Sequence, residues 1–149
     1  MEKPSITASA VINFAEKLEE DSSRFYEELA KRYGQSKDLF LSFAKESIDN
    51  KIFVSRTYRE TITDAIEACF SFKGLNLNDY KFETTLAEGT SYSDALRKAM
   101  ELEEKASKFW LDIAEQSASL LATIPRAFRK VAEKRSNRKM KIKSLFKSS

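Results

Sequence analysis

The sequence predicts an all-α protein: a four-helix bundle made of one helical hairpin written twice, with a long connection between helices two and three. Three observations carry this. Only three Gly and two Pro occur in 149 residues, too few to punctuate an all-β fold with its frequent turns. One third of the residues are charged and 42% are hydrophobic, the mix of amphipathic helices around a core. Apolar or small residues recur at alternating steps of four and three, which draws one stripe along a helix. The length suits a single domain over residues 1–149.

Thr7 or Ser5 can cap a first helix running to about Tyr33, with Gly34 as its stop. Its stripe is Val11, Ala15, Leu18, Ser22, Phe25 and Leu29. Ser36 can cap a second helix with the stripe Phe40, Phe43, Ser47, Asn50, Val54 and Tyr58, continuing through Ile62, Ala65 and Cys69 to about Phe72. Residues 74–89 have no clear period and form the long connection. Ser91 with Asp94 resembles a capping box and opens a third helix with Ala95, Ala99, Leu102, Ala106, Phe109 and Ile113 inside. After a break at 117–123, Pro125 suits the first turn of a fourth helix, whose stripe Phe128, Val131, Arg135, Arg138 and Ile142 ends near Phe146. Helix one maps onto helix three with an offset of 84 and helix two onto helix four with an offset of 88. The agreement includes Phe25-Tyr26 against Phe109-Trp110 and Glu19 against Glu103, so an internal duplication is expected.

Composition excludes several chemistries. There is no histidine, which removes the commonest metal ligand and the usual general base near neutral pH. Zinc sites, Ser-His and Cys-His pairs and histidine-ligated haem go with it. The single cysteine, Cys69, forms no internal disulfide and reads as a small buried residue. No stretch approaches the ~20 apolar residues of a membrane span, and the N-terminus lacks a signal-peptide layout. A cytoplasmic protein with no membrane partner is expected.

The doubled motifs resemble the rubrerythrin branch of the ferritin-like di-iron proteins. Glu19-EDSSR-Phe25-Tyr26 and Glu103-EKASK-Phe109-Trp110 are similar to its signature of Glu, five residues, then an aromatic pair. Phe40-LS-Phe43-Ala44 and Phe128-RK-Val131-Ala132 are similar to the segments that lead into its Glu-x-x-His motifs. The resemblance covers essentially the whole chain and implies a ferritin-like bundle, with one Glu from each of two helices and a Glu-x-x-His from each of the others. It also implies an association through helix faces, hence a homodimer.

The chain departs from that pattern at the ligands. Ser47-x-x-Asn50 and Arg135-x-x-Arg138 stand where the family has Glu-x-x-His. Arginine cannot ligate iron, because its guanidinium stays protonated and offers only donors. The former di-iron positions are therefore Glu19, Ser47, Asn50, Glu103, Arg135 and Arg138, with no catalytic residue and no cofactor expected. Buried carboxylates without metal must be paired. The two arginines are one helical turn apart, so each guanidinium is expected to fork onto Glu19 or Glu103, with Ser47 and Asn50 completing the hydrogen bonds. The bland alternative lets both arginines snorkel to solvent. A competing register places Glu46 and Asp49 with Glu19 around a single ion.

From Arg126 to Lys147 the net charge is +9, against −6 for the remainder. Such a run can bind an anionic partner or nucleic acid. The better supported reading pairs it with the acid-rich first and third helices, so a nucleic-acid partner is not expected. Tyr26, Tyr58 and Trp110 read as core-to-surface packing. Three functions stay open: a metal-free structural or interaction protein, an iron- or manganese-dependent oxidoreductase holding one ion, and an anion binder.

Overall fold

The structure is a computed structural model that describes residues 5–61, 71–117 and 123–148. Four helices dominate it: α1 (Ala8–Arg32), α2 (Lys37–Thr61), α3 (Tyr92–Gln116) and α4 (Thr123–Ser148). The fold class is all-α. A short antiparallel ribbon joins β1 (Ser5–Thr7) to β2 (Ser71–Lys73), with Ile6 opposite Phe72.

The stripes read from the sequence are the buried faces. Within α1, α3 and α4 every stripe residue is buried, and in α2 those from Phe40 to Val54 are buried while Tyr58 is partly so. Thr7 caps α1 by accepting the Ala10 amide at 3.1 Å, and Ser91 caps α3 by accepting the Asp94 amide at 3.1 Å. Both ends of α1 and α3, and both caps, are separated by the offset of 84. The two helices are thus copies in length and cap as well as in stripe.

Several boundaries differ from expectation. Phe72 does not end helix two but lies in β2, where its ring is buried. The alternation Ser71-Phe72-Lys73 sends one apolar residue inward, and the ribbon satisfies its backbone against β1. Residues 62–70, which hold Ile62, Ala65 and Cys69, lie outside the described residues. Gly34 is not a left-handed stop. Among the described residues only Gly74 and Gly89 take positive φ, both at 76°, where glycine avoids the Cβ clash. Helix α1 closes with the Tyr33 amide on the Leu29 carbonyl at 2.9 Å, and a 3-10 turn at Gly34–Ser36 leads into α2. The Ser36 hydroxyl, expected to cap helix two, meets the Tyr92 hydroxyl at 2.6 Å instead. Only half of the expected capping box on α3 forms, because the Asp94 carboxylate turns to Arg97 at 2.9 Å. Pro125 does fall in the first turn of α4.

Cross-helix contacts give the topology. Tyr26 packs on Phe43 while Glu19 meets Asn50, so α1 and α2 run antiparallel. Trp110 packs on Phe128 while Glu103 meets Arg135, so α3 and α4 do too. Tyr26 reaches Glu103 and Trp110 reaches Glu19, which makes α1 and α3 antiparallel and α2 and α3 codirectional. The connection must therefore climb the length of the bundle. It does so along α1 and α3. Tyr80 donates to Asp112 at 2.6 Å, and Lys105 and Lys98 donate to the carbonyls of Lys81 and Thr85 at 3.1 and 2.5 Å. At the far end Arg32 donates to the carbonyls of Ala87 and Leu86 at 2.7 and 3.1 Å, and Tyr33 to that of Thr90. These bonds satisfy polar backbone that has no secondary structure of its own.

Candidate functional site: a buried arginine–glutamate cluster

At mid-height the apolar core is interrupted by charge. Glu19, Ser22, Ser47, Asn50, Glu103 and Arg135 are 0% exposed, and Arg138 is 1% exposed. All six positions picked out by the motifs converge there, one or two from each helix. Arg135 sits at the centre. Its Nη2 donates to Glu19 Oε2 at 2.7 Å and its Nη1 to Glu103 Oε2 at 2.7 Å, so one guanidinium bridges the two hairpins. Charge-assisted bonds of this length are the stronger kind. Burial works against the charge of Arg135, but the fields of Glu103 and Glu19 more than offset it and hold its pKa above the ordinary arginine value.

Arg138 differs from expectation. It does not fork onto Glu19 or Glu103; its nearest approach to Glu103 is 3.5 Å. It donates through Nη2 and Nε to Glu46 Oε1 at 2.6 and 3.2 Å, and through Nη1 to Ser47 Oγ at 2.9 Å. Glu103 Oε2, the oxygen it approaches, accepts instead from Arg135 and from the Tyr26 hydroxyl. The guanidinium of Arg138 also lies over the rings of Tyr26 and Phe43, 5.5 and 5.4 Å from their centroids, where the electron-rich faces stabilise a cation. Both arginines are buried, so the snorkelling alternative is overturned. Glu46 makes the balance three carboxylates to two guanidinium groups, and its side chain, 35% exposed, shares its charge with solvent.

Asn50 donates to Glu19 Oε1 at 3.1 Å, as expected, whereas Ser47 serves Arg138. Ser22 accepts from Arg135 Nη2 at 2.6 Å and donates to the Leu18 carbonyl at 2.7 Å. Two aromatic residues expected only to pack also donate. The Tyr26 hydroxyl reaches Glu103 Oε2 at 2.5 Å and Trp110 Nε1 reaches Glu19 Oε2 at 3.3 Å. Tyr26 and Trp110 are 84 residues apart, as are Glu19 and Glu103. Each hairpin's aromatic donor thus serves the other hairpin's glutamate, a pseudo-twofold exchange across the core. The sequence signal was present: Tyr26 lies seven residues after Glu19, two turns on along the same face. Ser22 reads in the sequence only as a member of the apolar stripe and Glu46 only as an alternative metal ligand, so their roles as partners of Arg135 and Arg138 were not foreseen.

The residues do not fit a divalent metal. The Oε2 atoms of Glu19 and Glu103 are taken by donors, a guanidinium occupies the space between them, and the helices opposite present Asn50, Ser47 and two arginines. A cation there would sit against another cation. Glu46 is committed to Arg138 and Asp49 is exposed, so the register with Glu19 is not assembled. Among the described residues no group of three or more His, Cys, Asp or Glu is placed to hold an ion. Three buried atoms of the cluster, Glu103 Oε1, Asn50 Oδ1 and Arg135 Nε, meet no protein partner.

Two tyrosines give a pH prediction. Burial, then the charge of Glu103, push the Tyr26 hydroxyl well above its ordinary value of about 10. Burial and the Asp112 bond push Tyr80 up as well. A raised folded-state pKa stabilises the fold fully below the unfolded value, and that contribution is lost as pH rises through and beyond it. Stability should therefore fall above about pH 10, with a slope near 1.4 kcal/mol per pH unit for one retained proton. In urea titrations between pH 8 and 11, Tyr26→Phe should show a shallower decline than the parent.

The fold and site define a class: an all-α four-helix bundle of two matched hairpins, locked by a buried Arg–Glu cluster. Compared with known families, with curated proteins and with solved structures, the chain matches none. Among the described residues no helix is long and apolar enough to cross a membrane.

Proposed function

We propose that the protein is a ferritin-like bundle of the rubrerythrin type whose di-iron site has been replaced by the Arg135 cluster. It works as a non-catalytic structural or interaction protein. The observation that carries this reading is the bridge from one buried guanidinium to Glu19 and Glu103, 2.7 Å on each side. The family's two glutamates remain, and a fixed cation stands between them. The codirectional α2 and α3, the lengthwise connection and the 84-residue correspondence of α1 with α3 support descent from a duplicated hairpin.

Metal-free locking has a physical rationale. A buried charge network adds little net stability over a well-packed apolar core, but it admits few alternative registers. Each donor here reaches its acceptor in one alignment of four helices. The test is melting in the presence and absence of a strong chelator. The proposal expects identical midpoints, whereas a resident ion that contributes to folding would lower the midpoint on removal.

A further inference from the structure

The basic run of α4 was expected to be neutralised by the acidic first and third helices, and this holds only in part. Among the described residues, the ion pairs of α4 are those of Arg135 and Arg138 in the core and of Lys139, which meets Glu104 of α3 at 2.7 Å. Arg126, Arg129, Lys130, Lys134, Lys141 and Lys143 make none there; Lys134 is half-buried and the other five are exposed. One acid, Glu133, shares the exposed face with them. The bordering edges do not cancel this excess. Along α2, Lys45 and Arg56 stand against Asp38, Asp49 and Glu60, with Glu46 tied to Arg138. Along α3, Arg97 and Lys108 stand against Glu101, Glu104 and Glu115, with Glu104 tied to Lys139.

The bases form two rails with a less charged crest between them. Lys130 lies over the Phe53 ring of α2 at 5.3 Å, and Lys134 and Lys141 follow it along the α2 side of the helix. Lys143 lies one turn beyond Lys139, which pairs with α3, and Arg129 stands two heptads back on that side. Between the rails run Glu133, Asn137, Met140 and Ser144, all exposed, with Arg126 at their head. Helix α4 packs on α2 and α3 and lies across the core from α1, so this face is a corner of the bundle.

We propose that this corner binds duplex DNA, with α4 lying in the major groove and its rails on the phosphates of the two strands. A helix with its side chains is about 10–12 Å across and the major groove is about 12 Å wide, so the two match. Basic side chains on both flanks reach the phosphates that border the groove, which positions a protein without reading sequence. The crest then faces the base edges, where Asn137 can pair with adenine and Glu133 can accept from cytosine. Duplex RNA fits less well, because its major groove is deep and narrow. An acidic membrane also fits less well. The apolar face of α4 is buried in the bundle, and among the described residues Met140 is the one large apolar side chain exposed on it. The proposal uses surface residues alone and does not rest on the metal-free reading of the core.

Fluorescence anisotropy of a short labelled DNA duplex titrated with the full chain tests this, with circular dichroism as a folding control. The parent should bind. Its affinity should fall about a thousandfold between about 50 and 200 mM salt if all six bases take a phosphate. Lys130→Glu with Lys141→Glu should weaken binding at least about tenfold at low salt and flatten the salt dependence, with helicity unchanged. The neutral pair Lys130→Gln with Lys141→Gln should show a smaller loss in the same direction. Lys17→Glu with Lys31→Glu makes the same charge change on α1 and should weaken binding far less. An absence of salt-sensitive binding to DNA overturns the proposal. So does an equal loss in the α1 variant, or equal affinity for duplex RNA of the same sequence. Tighter retention on phosphatidylserine vesicles overturns it too and places the partner at a membrane.

Discussion

Replacing Arg135 by alanine should be among the most damaging single changes in the chain. It strands Glu19 in the core with only Asn50 and Trp110 as donors, and leaves Glu103 with the Tyr26 hydroxyl and, at 3.5 Å, the Arg138 guanidinium. Removing one partner of a buried ion pair typically costs about 3–5 kcal/mol, against a total stability of roughly 5–15 kcal/mol for a domain. For a chain of this size that corresponds to a melting midpoint lower by about 10 °C or more. Arg135→Lys keeps the charge but loses the fork and should fall between. The diagnostic variant is Arg135→Met combined with Glu19→Gln and Glu103→Gln. It removes cation and anions together, and a neutral, volume-matched replacement of a buried ion network is often tolerated. It should recover most of the loss, although Arg135→Met alone should not. Urea denaturation of the set measures this. An Arg135→Ala midpoint indistinguishable from the parent would mean that the glutamates are not held by that guanidinium.

The second large effect is a gain. Ser47→Glu, Asn50→His, Arg135→Glu and Arg138→His together write Glu-x-x-His into α2 and α4, facing the retained Glu19 and Glu103. If the chain has the ferritin-like register, this variant should bind iron or cobalt, with two ions per chain as the full complement of such a site. Without metal it carries four carboxylates in one core and should be poorly folded; metal should fold it, since binding and folding free energies are then linked. Cobalt has visible absorption that reports its coordination, so a titration followed by absorption and helicity gives both readouts. The same four changes with Glu19→Ala and Glu103→Ala should lose the metal. A well-folded fourfold variant that takes up none would remove the support for a di-iron ancestry.

What the sequence revealed and what it hid have physical causes. Apolar periodicity found the inward faces because a helix has one dominant energetic demand, the burial of its stripe, and that demand is written at fixed spacing. The polar members of the stripes, Ser22, Ser47, Asn50, Arg135 and Arg138, were legible as core residues for the same reason, and they are all buried. Partner choice inside the core was less legible. It depends on distances across the core that periodicity does not encode: Arg138 bonds Glu46 and Ser47, while Glu103 bonds Arg135 and Tyr26. Glu46 lies off the stripe, at a helix edge that periodicity treats as solvent. The donor roles of Tyr26 and Trp110 were hidden because an aromatic ring on a stripe already has a sufficient reason to be there. The β1–β2 ribbon was missed because three residues are too short to show a period, and Phe72 continued the helical spacing by chance.

The central claim is that a fixed guanidinium stands where the resemblance places metal. Elemental mass spectrometry of tag-free protein, before and after anaerobic loading with Fe(II) and desalting, tests it most directly. The account predicts traces of metal far below one ion per chain in both samples. One or more ions retained per chain would contradict it, and would show that Glu19 and Glu103 are free to leave Arg135 for a metal.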